Sequence, residues 1–184
     1  MCVMDAATKE ASVALFLREH PHLERPGRGH PALRGCAEVD WSRIPGCPAG
    51  TPALFRGLLD RNAAPEAERL LTNVLMDGVF RMSPAMPAAL PFLLRLAADP
   101  EVPVRSELLD VVLVAAELSQ PVDADGERAV LLLGSEDERP ERERCRAAFA
   151  GHASSLHALL DAATRDGLLS ADDRAALLSA AGPH

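Results

Sequence analysis

The segment "PEAERLLTNVL" (65–75) recurs 38 residues later as "PVRSELLDVVL" (103–113). Pro65 aligns with Pro103, Leu70 and Leu71 with Leu108 and Leu109, and Val74 and Leu75 with Val112 and Leu113. The apolar run before it shifts in register: Leu54, Phe55 and Leu58 align with Phe92, Leu93 and Leu96. Each run repeats at helical spacing, and proline suits a first helical turn. A helix pair that recurs in this way buries its apolar face only by lying against the next copy. A third, weaker copy follows 37 residues on, aligning Pro140 with Pro103 and "VLLL" (130–133) with "LLRL" (93–96). There Cys145 and Arg146 stand where the paired leucines should be.

Composition points the same way. Of 184 residues, 48% are apolar but only 3% are aromatic, and Tyr is absent. The core must be built of Leu, Ala and Val; Leu and Ala favour helices, whereas strands draw on β-branched and aromatic residues. A chain of this length is expected to form one domain. The net charge is −8, and the excess of acids grows toward the C-terminus, with twelve acids against seven bases in residues 121–184. A duplex-binding face needs a basic stripe. None is present, so a basic protein is expected as partner rather than nucleic acid.

The four cysteines, Cys2, Cys36, Cys47 and Cys145, form no CxxC pair. Reduced thiols in the cytoplasm are expected. The opening "MCVMDAATKEASVALFLREH" has no basic n-region, so no signal peptide is expected, and no stretch is apolar for long enough to cross a membrane.

Along the chain, Thr8 to Glu19 reads as a helix presenting Val13, Phe16 and Leu17, ended by Pro21. Residues 21–50, rich in Pro and Gly and holding the only Trp, Trp41, read as an irregular cap. Thr51 is placed as the N-cap of the next helix. The helix opened by Pro65 carries its stripe as far as Gly78, and Ser83 and Pro84 cap the one after. Pro91 should kink that helix or mark its true start. A single helix is expected from Pro140 to about Ala163, weakest at Gly151, and a last helix over 171–181 with Ser170 and Asp173 as a capping box.

The unit "LPFLLRLAADPEVPVRSELLDVV" (90–112) resembles the HEAT-repeat family, and bacterial members of it in particular. The resemblance covers roughly residues 51–150. It implies an all-α fold: a short right-handed α-solenoid of about three to four antiparallel helix pairs behind an irregular N-terminal cap. The units fall at about 51–80, 84–119 and 127–150, with C-terminal helices in 151–181. Such a stack has no strand between Thr51 and Phe149. In this family an Asp in the turn and a basic residue six positions on form a ladder between units. Asp99 and Arg105 fit, and so do Glu136 and Arg142 with Glu in place of Asp; Arg61 and Ala67 break the pattern in the first unit. The family's second helices line the inner curve. That implies a partner-binding groove bearing Arg69, Asn73, Asp77, Val111, Val114 and Glu117. Separately, the charge run "GSEDERPERER" (134–144) places Glu136, Asp137 and Glu138 before a helix, where acids suit its dipole, and offers them as an acidic docking edge. The function implied is non-catalytic binding of another protein, with an immunity- or antitoxin-type partnership to a basic toxin as one form. HEAT-like DNA glycosylases and phycobilin lyases are similar in architecture and make an enzyme the alternative; a small-molecule site between residues 21–50 and the stack is another.

No catalytic, cofactor or metal site is expected. His20, His22, His30, Cys36 and Cys47 share one segment, but zinc ligands come in short paired spacings and these cysteines lie eleven apart. Cys145 and His152, seven residues apart on one helix, would sit about 10 Å apart along its axis, too far for proton transfer. "VDADGE" (122–127) lacks the bidentate Glu of a calcium loop.

Overall fold

The computed structural model describes residues 4–25, 29–122, 131–135 and 137–182, and these are mostly helical. Helix α1 (Ala6–Glu19) starts at Asp5, whose carboxylate accepts from the Thr8 amide at 2.7 Å. That bond holds the Asp5 carboxyl below its ordinary range. Pro21 then stops the helix, and three short 3-10 turns at Pro21–Glu24, Pro31–Leu33 and Trp41–Arg43 carry the irregular segment. This segment is not a detached cap. Trp41 is buried, its indole N–H donates to the Cys36 carbonyl at 2.9 Å, and one hydrophobic core runs from Val13 through Trp41 to Ala181.

Helices α2 (Thr51–Gly57) and α3 (Ala64–Leu75) form the first pair. The N-cap is Gly50 rather than Thr51, because the buried Thr51 hydroxyl turns back and donates to the Pro48 carbonyl at 2.7 Å. Gly57 lies where α1, α2 and α3 meet. A Cβ there would stand 2.8 Å from Ala67 Cβ and 2.9 Å from Phe16 Cζ, so only glycine permits this approach.

Two expectations fail after Leu75. The helix does not continue to Gly78, and strands do occur between Thr51 and Phe149. Met76–Gly78 (β1) and Arg81–Met82 (β2) pair antiparallel as a small hairpin. Gly78 is a poor helix former and Val79 and Phe80 favour extended backbone, so the chain leaves the helix here. The Ser83 amide donates to the Leu75 carbonyl at 2.8 Å and closes the base. The hairpin connects one helix pair to the next and interrupts neither.

Helix α4 (Met86–Ala98) runs through Pro91 rather than starting there. The amide that Pro91 lacks would have met the carbonyl of Pro87, and Pro91 itself lies at a partly exposed position. Met86, Leu90, Leu93, Leu94 and Leu96 are fully buried, so α4 is apolar nearly all round and occupies the centre. It packs against α5 (Arg105–Ser119), α6 (Pro140–Gly151), α7 (Ala153–Arg165) and the Pro31–Leu33 turn. Helix α5 also contacts α3, α6 and the last helix, α8 (Ala171–Ala180).

The helix expected over 140–163 is two helices. Gly151 weakens the run, His152 leaves helical geometry at φ −119° and ψ 33°, and its carbonyl accepts from Leu156 to begin α7. The break lets α7 fold back on α4. The capping box is present as expected: the Asp173 amide donates to Ser170 Oγ at 3.1 Å and the Ser170 amide to Asp173 Oδ2 at 2.9 Å. The third repeat copy does not match the second in burial. Leu131 is 85% exposed, whereas its counterpart Leu94 is fully buried. Val130 and most of "VDADGE" lie outside the described residues.

Candidate functional site

Helices α3 and α5 and the hairpin enclose an open groove of about 430 Å³. Its floor is Met76, Val79, Val111 and Val114. Its other lining residues are Thr72 and three acids, Glu68, Glu107 and Asp110; among the described residues no Lys or Arg lines it. The Thr72 hydroxyl donates to Glu68 Oε1 at 2.8 Å, which fixes one wall. Glu107 stands in the first turn of α5, where an acid favours the helix dipole, and Asp110 follows one turn on. Val79 and the neighbouring Phe80 at the hairpin tip are 60% and 54% exposed.

Of the six residues implied for a groove, Val111 and Val114 line it. Arg69 and Asn73 lie one position around α3 from the lining residues Glu68 and Thr72, and Asp77 follows the lining residue Met76 in β1. Arg69 is held on the surface by Glu66, with guanidinium–carboxylate contacts of 2.6 and 3.1 Å, which lower the Glu66 carboxyl and raise the Arg69 guanidinium from their ordinary values. Asp77 faces α1 and binds Lys9 Nζ at 2.7 Å. Glu117 is exposed one turn beyond Val114. Asp137 and Glu138 are exposed just before α6, and Glu136 lies outside the described residues. The 38-residue repeat carried only part of the missing signal: it maps Val114 onto Met76 and Asp110 onto Thr72, but Val111 onto Asn73 and Glu107 onto Arg69, which lie outside the lining.

The implied ladder is not formed by Asp99 and Arg105. Arg105 is buried, donates to the Ala97 carbonyl at 2.8 Å and pairs with Asp166. The chain returns through the α7–α8 turn close enough to offer that carboxylate. Asp99 instead binds His30 Nε2 at 3.5 Å and accepts from the Glu101 amide at 3.0 Å. Arg142 is buried in α6, and its pairing with Glu136 falls outside the described residues.

A second cavity of about 390 Å³ lies between the irregular segment, α4 and the start of α7, lined by His30, Arg95, Asp99, Ser154 and Ser155 among others. A serine, a histidine and an aspartate together invite comparison with a nucleophilic triad. The contacts argue against it. His30 Nδ1 accepts from the Ala32 amide at 3.3 Å and Nε2 faces Asp99, so neither ring nitrogen is left to take a serine proton. Among the described residues no three His, Cys, Asp or Glu side chains converge as a metal site. Among them, too, no helix is long and apolar enough to cross a membrane.

Burial pushes the Cys36 thiol up to about 11 and the Cys145 thiol to about 12, against an ordinary 9.0. Neither is a nucleophile near neutral pH. The stability these protonated thiols contribute is complete below pH 9 and drains away as pH rises toward 11 and 12, because unfolding frees them to ionise. Tyr is absent, so no phenol titrates in that window. Thermal midpoints should therefore fall steadily above pH 9. The C36A/C145A variant should show a flatter profile, and an equal slope in both proteins would refute the assignment.

No family model, curated protein or solved structure matches this chain.

Proposed function

We propose that this chain is a non-catalytic helical-repeat protein of HEAT-like, α-solenoid type that binds a basic protein in the cytoplasm. The groove carries the reading: an apolar floor whose charged lining among the described residues is acidic, in a chain of net charge −8. Apolar area supplies adhesion, while like-signed carboxylates steer a cationic partner and repel an anionic one. Support for a repeat comes from burial. Leu54, Phe55, Leu58, Leu70, Leu71 and Val74 are all buried, and so are their counterparts Phe92, Leu93, Leu96, Leu108, Leu109 and Val112. The second helices of the two pairs, α3 and α5, touch. Within this class, an immunity- or antitoxin-type partnership suits the acidity and rests on analogy of fold.

The test is affinity capture from a native lysate, followed by measurement of association rates with the captured protein. Reversing Glu136, Asp137 and Glu138 to Lys should slow association about tenfold or more at low salt and matter little at high salt, as steering requires. An unchanged on-rate at low salt counts against the acidic edge. The His30–Asp99–Arg95 cavity favours one second reading, a small-molecule site, which native mass spectrometry showing a retained ligand would support.

A further inference from the structure

Among the described residues none of Glu68, Glu107 and Asp110 takes part in an ion pair. The groove is about two helical turns long: Glu107 to Val114 spans roughly 10 Å of α5, and the opposite wall runs from Glu68 along α3 into Met76 at the start of the hairpin. Two turns is also the length over which a helix presents apolar residues at i, i+3 or i+4, and i+7. At its apolar end the floor continues outward to the hairpin tip, where Val79 and Phe80 are more than half exposed although the fold gains little from them there.

We infer that the groove between α3 and α5 seats an amphipathic helix of the partner, one whose apolar stripe is flanked by Lys or Arg. The inference rests on the reading of this chain as a binder of a basic protein and adds where and in what form the partner docks. The stripe lies on Met76, Val79, Val111 and Val114. The flanking cations meet Glu68, Glu107 and Asp110. This is the helix-in-groove mode of recognition, in which spaced apolar anchors supply affinity and rim charges set orientation.

The probe is a synthetic amphipathic peptide of about four helical turns, with Leu along one face and Lys on its flanks; a second peptide carries Glu in place of Lys. Amide chemical shifts of the full chain are followed during titration. The Lys peptide should bind saturably, with shifts confined to α3, α5 and the hairpin, while the Glu peptide should not bind. Val114→Glu, at an exposed position that tolerates charge in the fold, should weaken the Lys peptide about thirtyfold, the loss of one anchor. E107K/D110K should abolish the salt dependence. Shifts that map elsewhere on the chain overturn the groove assignment, while capture of a basic protein by the intact chain would leave the wider reading standing. Failure of both the peptide titration and the capture removes both. Broadening of the same amides with protein concentration, without peptide, would mean that a second copy fills the groove, and this also overturns the inference.

Discussion

Phe55→Ala should remove about 3–5 kcal/mol of stability, the range for deleting a fully buried aromatic side chain. Phe55 has no exposed surface and sits in a three-ring cluster, with centroids 5.5 Å from Trp41 and 5.5 Å from Phe92; Trp41 and Phe92 are 6.1 Å apart. The tilted and edge-on contacts add to the area buried. The three rings come from the irregular segment, α2 and α4, so the cavity opens where three parts of the fold meet and no single element can collapse to fill it. For a domain with total stability of about 5–15 kcal/mol, the loss is a large share. Trp41 is the only Trp and Tyr is absent, so its emission reports unfolding without interference. Urea midpoints followed by that emission check the prediction. A shift worth less than about 1 kcal/mol would mean that the cluster is not packed as described.

Asp77→Ala should cost about 3 kcal/mol, whereas Lys9→Met should cost less than about 1 kcal/mol. Lys9 is only 3% exposed; its ammonium donates to Asp77 Oδ1 at 2.7 Å and to the Val74 carbonyl at 3.4 Å. It thereby ties α1 to the C-terminal end of α3, where the carbonyl dipoles favour a cation. Removing Asp77 leaves a buried ammonium with a single carbonyl. Removing Lys9 leaves a carboxylate that is 30% exposed and can turn to water, and Met fills the same space with apolar surface. The Asp77 loss is placed at the low end of the range because of that same exposure. Chemical denaturation of both variants decides: equal losses would refute the asymmetry. The contrast also bears on binding, since Asp77 is occupied inside the fold and its loss should disturb partner affinity only through stability.

The helices were legible from the residues because their signals are local. A 3.6-residue stripe, a proline in the first turn and a Ser170–Asp173 box each act within a few residues, and α1, α3, α4, α5 and α8 lie close to where they were expected. The misses share a different origin. "MDGVFRM" (76–82) continues an apolar stripe on paper but closes as a hairpin, because Gly78, Val79 and Phe80 prefer extended backbone and the Ser83 amide finds the Leu75 carbonyl. Gly151 could have been absorbed within a long helix. It ends one because α7 gains burial of Leu156, Leu159 and Leu160 by folding back. The groove was half legible. The resemblance placed Val111 and Val114 in it, but the α3 face was placed one residue, about 100°, away from the lining set.

By itself the sequence determined a helical chain whose core is Leu, Ala and Val, a helix pair that recurs at 38 residues, and an acidic surface. Each of these follows from side-chain type and spacing along the backbone. Only the tertiary structure decided which charges meet. Arg105 found Asp166 rather than Asp99, Lys9 took Asp77, and Asp99 turned to His30, because those partners stand 61, 68 and 69 residues apart and spacing carries no record of them. It also decided which acids line the groove, since that depends on how α3 is rotated against α5, and the rotation is set by packing across the whole core.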